Sequence, residues 1–207
     1  MRSAEFRILV FLGTLSMLLA GCGGGEESPE QPSRDLIMEA WDAFEDGDWV
    51  RAAGQFRAAI DEDPGGGEGY VGLGWVHVSR ADTELALTLF KTGVETDLRQ
   101  YAGAHVGLAL CLMLGDEEKL EEAAAAAGKA LTRTWDQTYR RHRPSRLQRE
   151  HVWLIRAQCN FELGEYEEAY GDVTELSDVT LDPESEFFLE DLLRELERLG
   201  TKWRIDW

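Results

Sequence analysis

Small and large apolar residues alternate along this chain at helical spacing, and the same arrangement returns after 34 residues. Gly47, Asp48 and Trp49 precede a run in which Ala52, Phe56 and Ala59 fall four and three apart, and Pro64 closes it. Ala86, Phe90 and Gly93 stand 34 residues after those three, preceded by Tyr70, Leu73 and Gly74. Gly115 and Asp116 lie 68 residues after Gly47 and Asp48; Ala123, Ala127 and Ala130 take the small-residue places once three residues are inserted in the turn before them. A fourth, weaker unit has Trp153 and Ala157, then Gly164, Tyr166 and Ala169, after about fifteen extra residues. Spacings of three and four put such residues on one helix face. A small residue there lets two backbones approach, and Phe56 or Phe90 fills the groove alongside. Near the carboxyl end, Asp182 as N-cap, Pro183 at the first helical position, and Phe188, Leu189, Leu192, Leu193, Leu196 and Leu199 predict one more helix, stopped at Gly200.

The period and residue types resemble the tetratricopeptide repeat from about Arg34 to Leu176. That resemblance implies an all-α fold: a short right-handed α-α solenoid of about four helix pairs, 34–66, 67–100, 101–137 and 150–180, with a basic insertion around 135–149. No unit buries its apolar face alone, so the array needs covered ends, and the segment 181–207 is expected to supply a capping helix. A helix that pairs with another protein is the alternative for that segment. The resemblance also implies a concave face built from the first helix of each pair. Carried over residue by residue, its groove positions are Ile37 and Trp41, Val71 and Trp75, His105 and Met113, and Leu154 and Gln158. Exposed, this stripe suits an extended peptide or an amphipathic helix; the same residues also read as plain core, or as covered by the carboxyl-terminal helix folding back.

The amino terminus places Arg2 and Arg7 ahead of a thirteen-residue apolar stretch, Ile8 to Ala20. Crossing about 30 Å of hydrocarbon takes roughly 20 helical residues, so the stretch reads as the core of a signal peptide, 1–21. Leu19, Ala20, Gly21 and Cys22 then resemble the lipobox of bacterial lipoproteins. The resemblance implies that Cys22 becomes the acylated first residue and holds the protein to an envelope membrane, facing the periplasm or the outside. Gly23 rather than Asp at the next position implies the outer membrane. An ordinary cleaved signal and an uncleaved anchor are the alternatives. Residues 22–33, with Gly, Pro, Ser and Glu and nothing to bury after the cysteine, predict a flexible tether.

Charge narrows the partners. Forty acidic against 21 basic side chains give a formal charge of −19, which repels nucleic acid over most of the surface. No G-x-S-x-G, H-E-x-x-H or phosphate-binding loop is present, so neither an enzyme nor a bound cofactor is expected. His142, His151 and Cys159 lack the paired spacing of a metal site, and the acids around Gly65–Gly67 lack that of a calcium loop. Cys111 and Cys159 read as buried thiols, with a disulfide as the alternative in an oxidising compartment. Against this background stands the basic run 138–151, with Arg140, Arg141, Arg143, Arg146 and Arg149. Ser145 reads as a helix N-cap with Gln148 completing a capping box, leaving Arg146 and Arg149 in a first turn whose dipole disfavours them. Pairing with the chain's own carboxylates competes with an outward role toward an acidic protein surface or anionic lipid head groups. The expected function is a membrane-anchored envelope lipoprotein that binds a protein or peptide through the groove. A structural subunit with a self-filled groove is the alternative, and behind it a solute-binding protein or an enzyme with an unrecognised site.

Overall fold

The computed structural model describes residues 30–96, 101–133, 135 and 143–203, and among these every regular element is helical. The α-helices are α1 (Glu30–Glu45), α2 (Trp49–Glu62), α3 (Gly67–Ser79), α4 (Thr83–Glu95), α5 (Ala102–Met113), α6 (Leu120–Leu131), α7 (Arg149–Glu162), α8 (Tyr166–Thr174) and α9 (Phe188–Lys202). Consecutive helices pair as α1 with α2, α3 with α4, α5 with α6 and α7 with α8. The first helices α1, α3, α5 and α7 also touch in series, and α9 continues that series against α7 and α8. The result is an all-α solenoid with a carboxyl-terminal cap.

Local chemistry fixes each turn. Gly47 has φ +78° and Gly164 φ +82°, the left-handed conformation that glycine takes without steric cost. Ala81, 34 residues after Gly47, adopts the same conformation at φ +59°, where a Cβ costs about 1 kcal/mol. Asp48 then caps α2 by accepting from the Arg51 N–H at 3.0 Å, and Asp82 caps α4 by accepting from the Leu85 N–H at 3.4 Å. The three extra residues of the third unit form a 3₁₀ turn, Glu117–Lys119, just ahead of α6. α1 begins at Glu30, four residues before the expected start of the first unit; Pro32 falls in its first turn, where a missing N–H leaves no intrahelical bond unmade.

Between units the backbones close on aromatic rings. Phe56 of α2 and Phe90 of α4 are fully buried. A Cβ on Gly72 of α3 would stand 2.1 Å from the Phe56 ring, and one on Gly107 of α5 2.3 Å from the Phe90 ring. These glycines are therefore required by close approach, and each phenylalanine sinks into the next unit's first helix. α3 and α5 are apolar nearly all round and are buried almost throughout, as a helix without a polar face must be.

The cap forms its own cluster: Phe188, Leu192, Leu196 and Leu199 of α9 meet Leu154, Ala157, Ala169 and Val173 of α7 and α8. α9 starts at Phe188, five residues later than an N-cap at Asp182 and a first helical residue at Pro183 predict. Asp182 instead closes a turn, its carboxylate accepting from the Glu184 N–H at 3.0 Å and its carbonyl from the Ser185 N–H at 3.0 Å. The groove is thus not filled by this helix, which covers the end of the array at the fourth unit.

Because Gly72 has no room for a methyl group, Gly72→Ala should destabilise the fold by about 1–3 kcal/mol in urea denaturation. Gly54, inside α2, has nothing within 4 Å of an added Cβ, so Gly54→Ala should raise stability by about 0.5–1 kcal/mol in the same assay.

Candidate functional site

The eight expected groove positions are mostly interior. Trp41, Val71 and Trp75 are fully buried, and Ile37, His105 and Leu154 nearly so; Met113 and Gln158 are half-buried. Trp41 stands edge-on to Phe56 at 5.3 Å and Trp75 edge-on to Phe90 at 5.1 Å, so each packs onto the phenylalanine of its own unit. A large indole cannot be both that contact and an open platform, and these side chains line no open groove in this structure.

What reaches this interior from elsewhere is the long connection between α6 and α7. Leu147, within that connection, is 1% exposed and belongs to the main core, with Trp135 packed against the same core. Two residues earlier, Ser145 meets the last residue of α1: Glu45 accepts from the Ser145 N–H and from its hydroxyl, both at 2.7 Å. A single carboxylate therefore ties the fourth unit's approach to the first unit, 100 residues away. The described residues 143–148, just ahead of α7, thus form a strap from the fourth unit to the end of α1. A cleft of about 240 Å³ remains where it lands, walled by Phe44, Trp49, Gly47, Pro144 and Arg146 beside Glu45.

The basic residues build this strap. Arg140 and Arg141 lie outside the described residues, whereas Arg143 opens the described part of the strap. Its guanidinium lies over the Trp135 ring at 5.0 Å and donates to the carbonyls of Trp135 at 3.4 Å and of Leu147. Burial lowers its pKa from the ordinary arginine value. Trp135 in turn donates from Nε1 to the Ala130 carbonyl at 3.0 Å, fastening the strap to the end of α6. Arg146 is exposed and precedes the helix; α7 starts at Arg149, with Gln148 and not Ser145 as its cap. The correction has a physical cause, since the Ser145 N–H and hydroxyl are both engaged by Glu45. Arg149 also escapes the unfavourable dipole expected for it: Nη2 donates at 3.1 Å to the carbonyl of Leu131, at the negative end of α6.

His151 completes the junction. Its Nδ1 accepts from the Gln148 N–H at 2.9 Å, so a neutral ring carries its proton on Nε2, and the ring stands edge-on to Trp203 at 5.7 Å. Burial lowers its pKa, with Gln148 and Glu150 pulling the other way. Cys111 and Cys159 are buried free thiols pushed up to about 12 by burial, so neither supplies a nucleophile near neutrality. Among the described residues no group of three or more His, Cys, Asp or Glu side chains is placed to share a metal ion.

Of the residues that matter here, Glu45 and Leu147 carry no motif, and Ser145 is marked by a capping-box pattern that points to a different role. Leu147 did carry a hint, as the lone aliphatic side chain between Leu131 and Val152.

Comparison with known proteins fits this architecture. Residues 37–97 match the tetratricopeptide repeat family model. The fold is similar to that of pilF from Pseudomonas aeruginosa, at 16% identity over 86% of this chain and 80% of that one, with a TM-score of 0.59. It is also similar to MamA (14% identity, 86% and 98% covered, TM-score 0.57) and to a thermophilic tetratricopeptide-repeat protein of Thermus thermophilus (16%, 86% and 84%, 0.52). Likeness at such identities establishes the solenoid and nothing finer.

Glu45→Ala should cost about 1–2 kcal/mol in urea denaturation, since it removes two hydrogen bonds to a charged but half-exposed acceptor. Leu147→Ala should cost about 2–5 kcal/mol, the range for emptying a buried leucine site. The lowered His151 pKa also fixes a sign. The unfolded chain takes up the proton near pH 6.5 while the folded ring resists it, so stability is full above about pH 6.5 and falls as pH drops toward the folded value. His151→Gln, which keeps a side-chain acceptor at the third helical position, should flatten this slope when denaturation is compared across that window.

Proposed function

We propose that this tetratricopeptide-repeat solenoid is a bacterial envelope lipoprotein, acylated at Cys22 and held at the outer membrane as an adaptor for a protein partner. A solenoid of this type supports protein–protein interaction in general. The finer reading is carried by one observation: Leu19-Ala20-Gly21-Cys22 follows a short basic and then apolar leader, and the helical array begins only eight residues beyond that cysteine, at Glu30. A helix starting so close to an acyl anchor would keep the first unit near the bilayer surface. The strongly acidic body would then be repelled by anionic lipid and stand off from it.

A second reading gains weight from the strap. Trp41, Val71 and Trp75 are enclosed and Leu147 joins the same core, which supports a structural subunit with a self-filled groove. Under this reading Leu147 of the strap contributes to the filling, while the carboxyl-terminal helix acts as a cap. On either reading partners meet the surfaces that remain exposed.

Cys22→Ser should abolish incorporation of labelled palmitate in growing bacteria and release the protein from the membrane fraction. Undiminished labelling would remove the anchor and leave a repeat protein of another compartment.

A further inference from the structure

Away from the strap, the second helices α6 and α8 part over α7 and leave an open trough of about 440 Å³, within the size range of ligand clefts. One wall is α7, contributing Trp153, Arg156 and Asn160 at helical spacing; the other is α8 with its C-cap, contributing Glu168 and Asp172 from the helix and Glu175 from the cap. Arg156 grips the buried Asp172 in two hydrogen bonds, Nε to Oδ2 at 2.9 Å and Nη2 to Oδ1 at 2.6 Å. The same guanidinium lies over the Trp153 ring at 4.8 Å. Burial raises the Asp172 pKa, opposed by Arg156, while the hydrogen bond to Asp172 raises that of Arg156.

This internal pair decides what the trough attracts. Among the described residues Arg156 is the one cation lining it, and it is already matched to Asp172, so it offers little to an anion. Three carboxylates against one guanidinium leave a formal charge of −2, carried by the exposed Glu168 and Glu175. Those two stand seven residues apart, Glu168 in α8 and Glu175 at its C-cap, two helical turns or about 10 Å, on either side of Gly171. Gly171 has nothing within 4 Å of an added Cβ, so no neighbouring element demands a glycine there. It nonetheless weakens a helix of nine residues by about 1 kcal/mol relative to alanine, and it leaves the space above it open. The trough thus combines the Trp153 indole, the Asn160 amide and the small residues Ala124 and Gly171 with two exposed carboxylates.

We propose that this trough is a docking site for a basic side chain, arginine or lysine, presented by a protein partner. The chain's aliphatic stem lies along Trp153 and above Gly171, and its charged end is held by Glu168 or Glu175 with the Asn160 carbonyl. This deepens the adaptor reading by naming the chemistry that docks. It stands apart from the anchor, since the outcome at Cys22 does not bear on it.

The test uses the full chain with indole ¹⁵N labels, titrated with N-acetyl-Gly-Arg-Gly-amide, its lysine counterpart, and the neutral isostere with citrulline. The Trp153 indole resonance, assigned from Trp153→Phe, should shift saturably with either cationic peptide and at least about tenfold more weakly with citrulline. Glu168→Gln with Glu175→Gln, both exposed changes that spare the Arg156–Asp172 pair, should weaken binding roughly tenfold. Gly171→Met should block it while leaving the helical spectrum intact. Equal binding of the citrulline peptide, binding unaffected by the paired glutamines, or no saturable shift at Trp153 with either cation would each overturn the proposal.

Discussion

The depth to which Phe56 and Phe90 sink into the following unit governs the rest of this molecule. Each ring lies against a backbone that has no side chain to hold it off, Gly72 in one case and Gly107 in the other. Close-packed interiors tolerate no spare methylene at such a point, so the two contacts set the distance and rotation between neighbouring units. Trp41 and Trp75 then follow, since each indole completes the wall of its own phenylalanine pocket edge-on. α3 and α5, pressed from both sides, have nowhere to present a polar face and carry almost none.

Residues 143–148 then tie the fourth unit back to the first, and Leu147 joins the core that these contacts build. The strap does so with chemistry suited to a connection that has no regular hydrogen bonding. Arg143 and Arg149 donate to main-chain carbonyls that would otherwise lack partners, and a guanidinium's fan of donors does this better than an ammonium. In a protein of charge −19 such arginines would be expected to seek carboxylates, but Coulomb attraction at the surface is weak, whereas an unmet buried carbonyl is costly. Glu45 supplies the complementary half by accepting from Ser145. The Arg156–Asp172 pair follows the same rule elsewhere, being satisfied within itself and leaving the flanking glutamates of the trough uncommitted to it.

The sequence made the repeats legible because packing of this kind writes a period: Ala52, Phe56 and Ala59 recur as Ala86, Phe90 and Gly93, and Gly47 as Ala81 and Gly115. The strap's destination leaves no such mark. A contact between Glu45 and Ser145 spans 100 residues, and nothing local to either residue signals it. That missing contact explains one misplacement, since Ser145 reads as a helix cap until its hydroxyl is assigned elsewhere; Trp41 and Trp75 read as a platform until Phe56 and Phe90 are placed against them. The start of α9 was misjudged for a different reason, because Asp182 and Pro183 make an equally good turn. The trough was invisible because Trp153, Arg156 and Asn160 on α7 face Glu168, Asp172 and Glu175 only once two helices are placed. Cys22, Arg140 and Arg141 belong to segments outside the described residues.

The central claim is that residues 143–148 strap the fourth unit to the first and lock Leu147 into the core, and amide hydrogen exchange on the unaltered protein tests it most directly. The amide of Ser145, which donates to Glu45, and that of Leu147, which donates to the Pro144 carbonyl, should be protected together with those of α3 and α5, exchanging only when the array opens. Exchange at residues 145 and 147 at the rate of an unstructured peptide, while α3 stays protected, would contradict it.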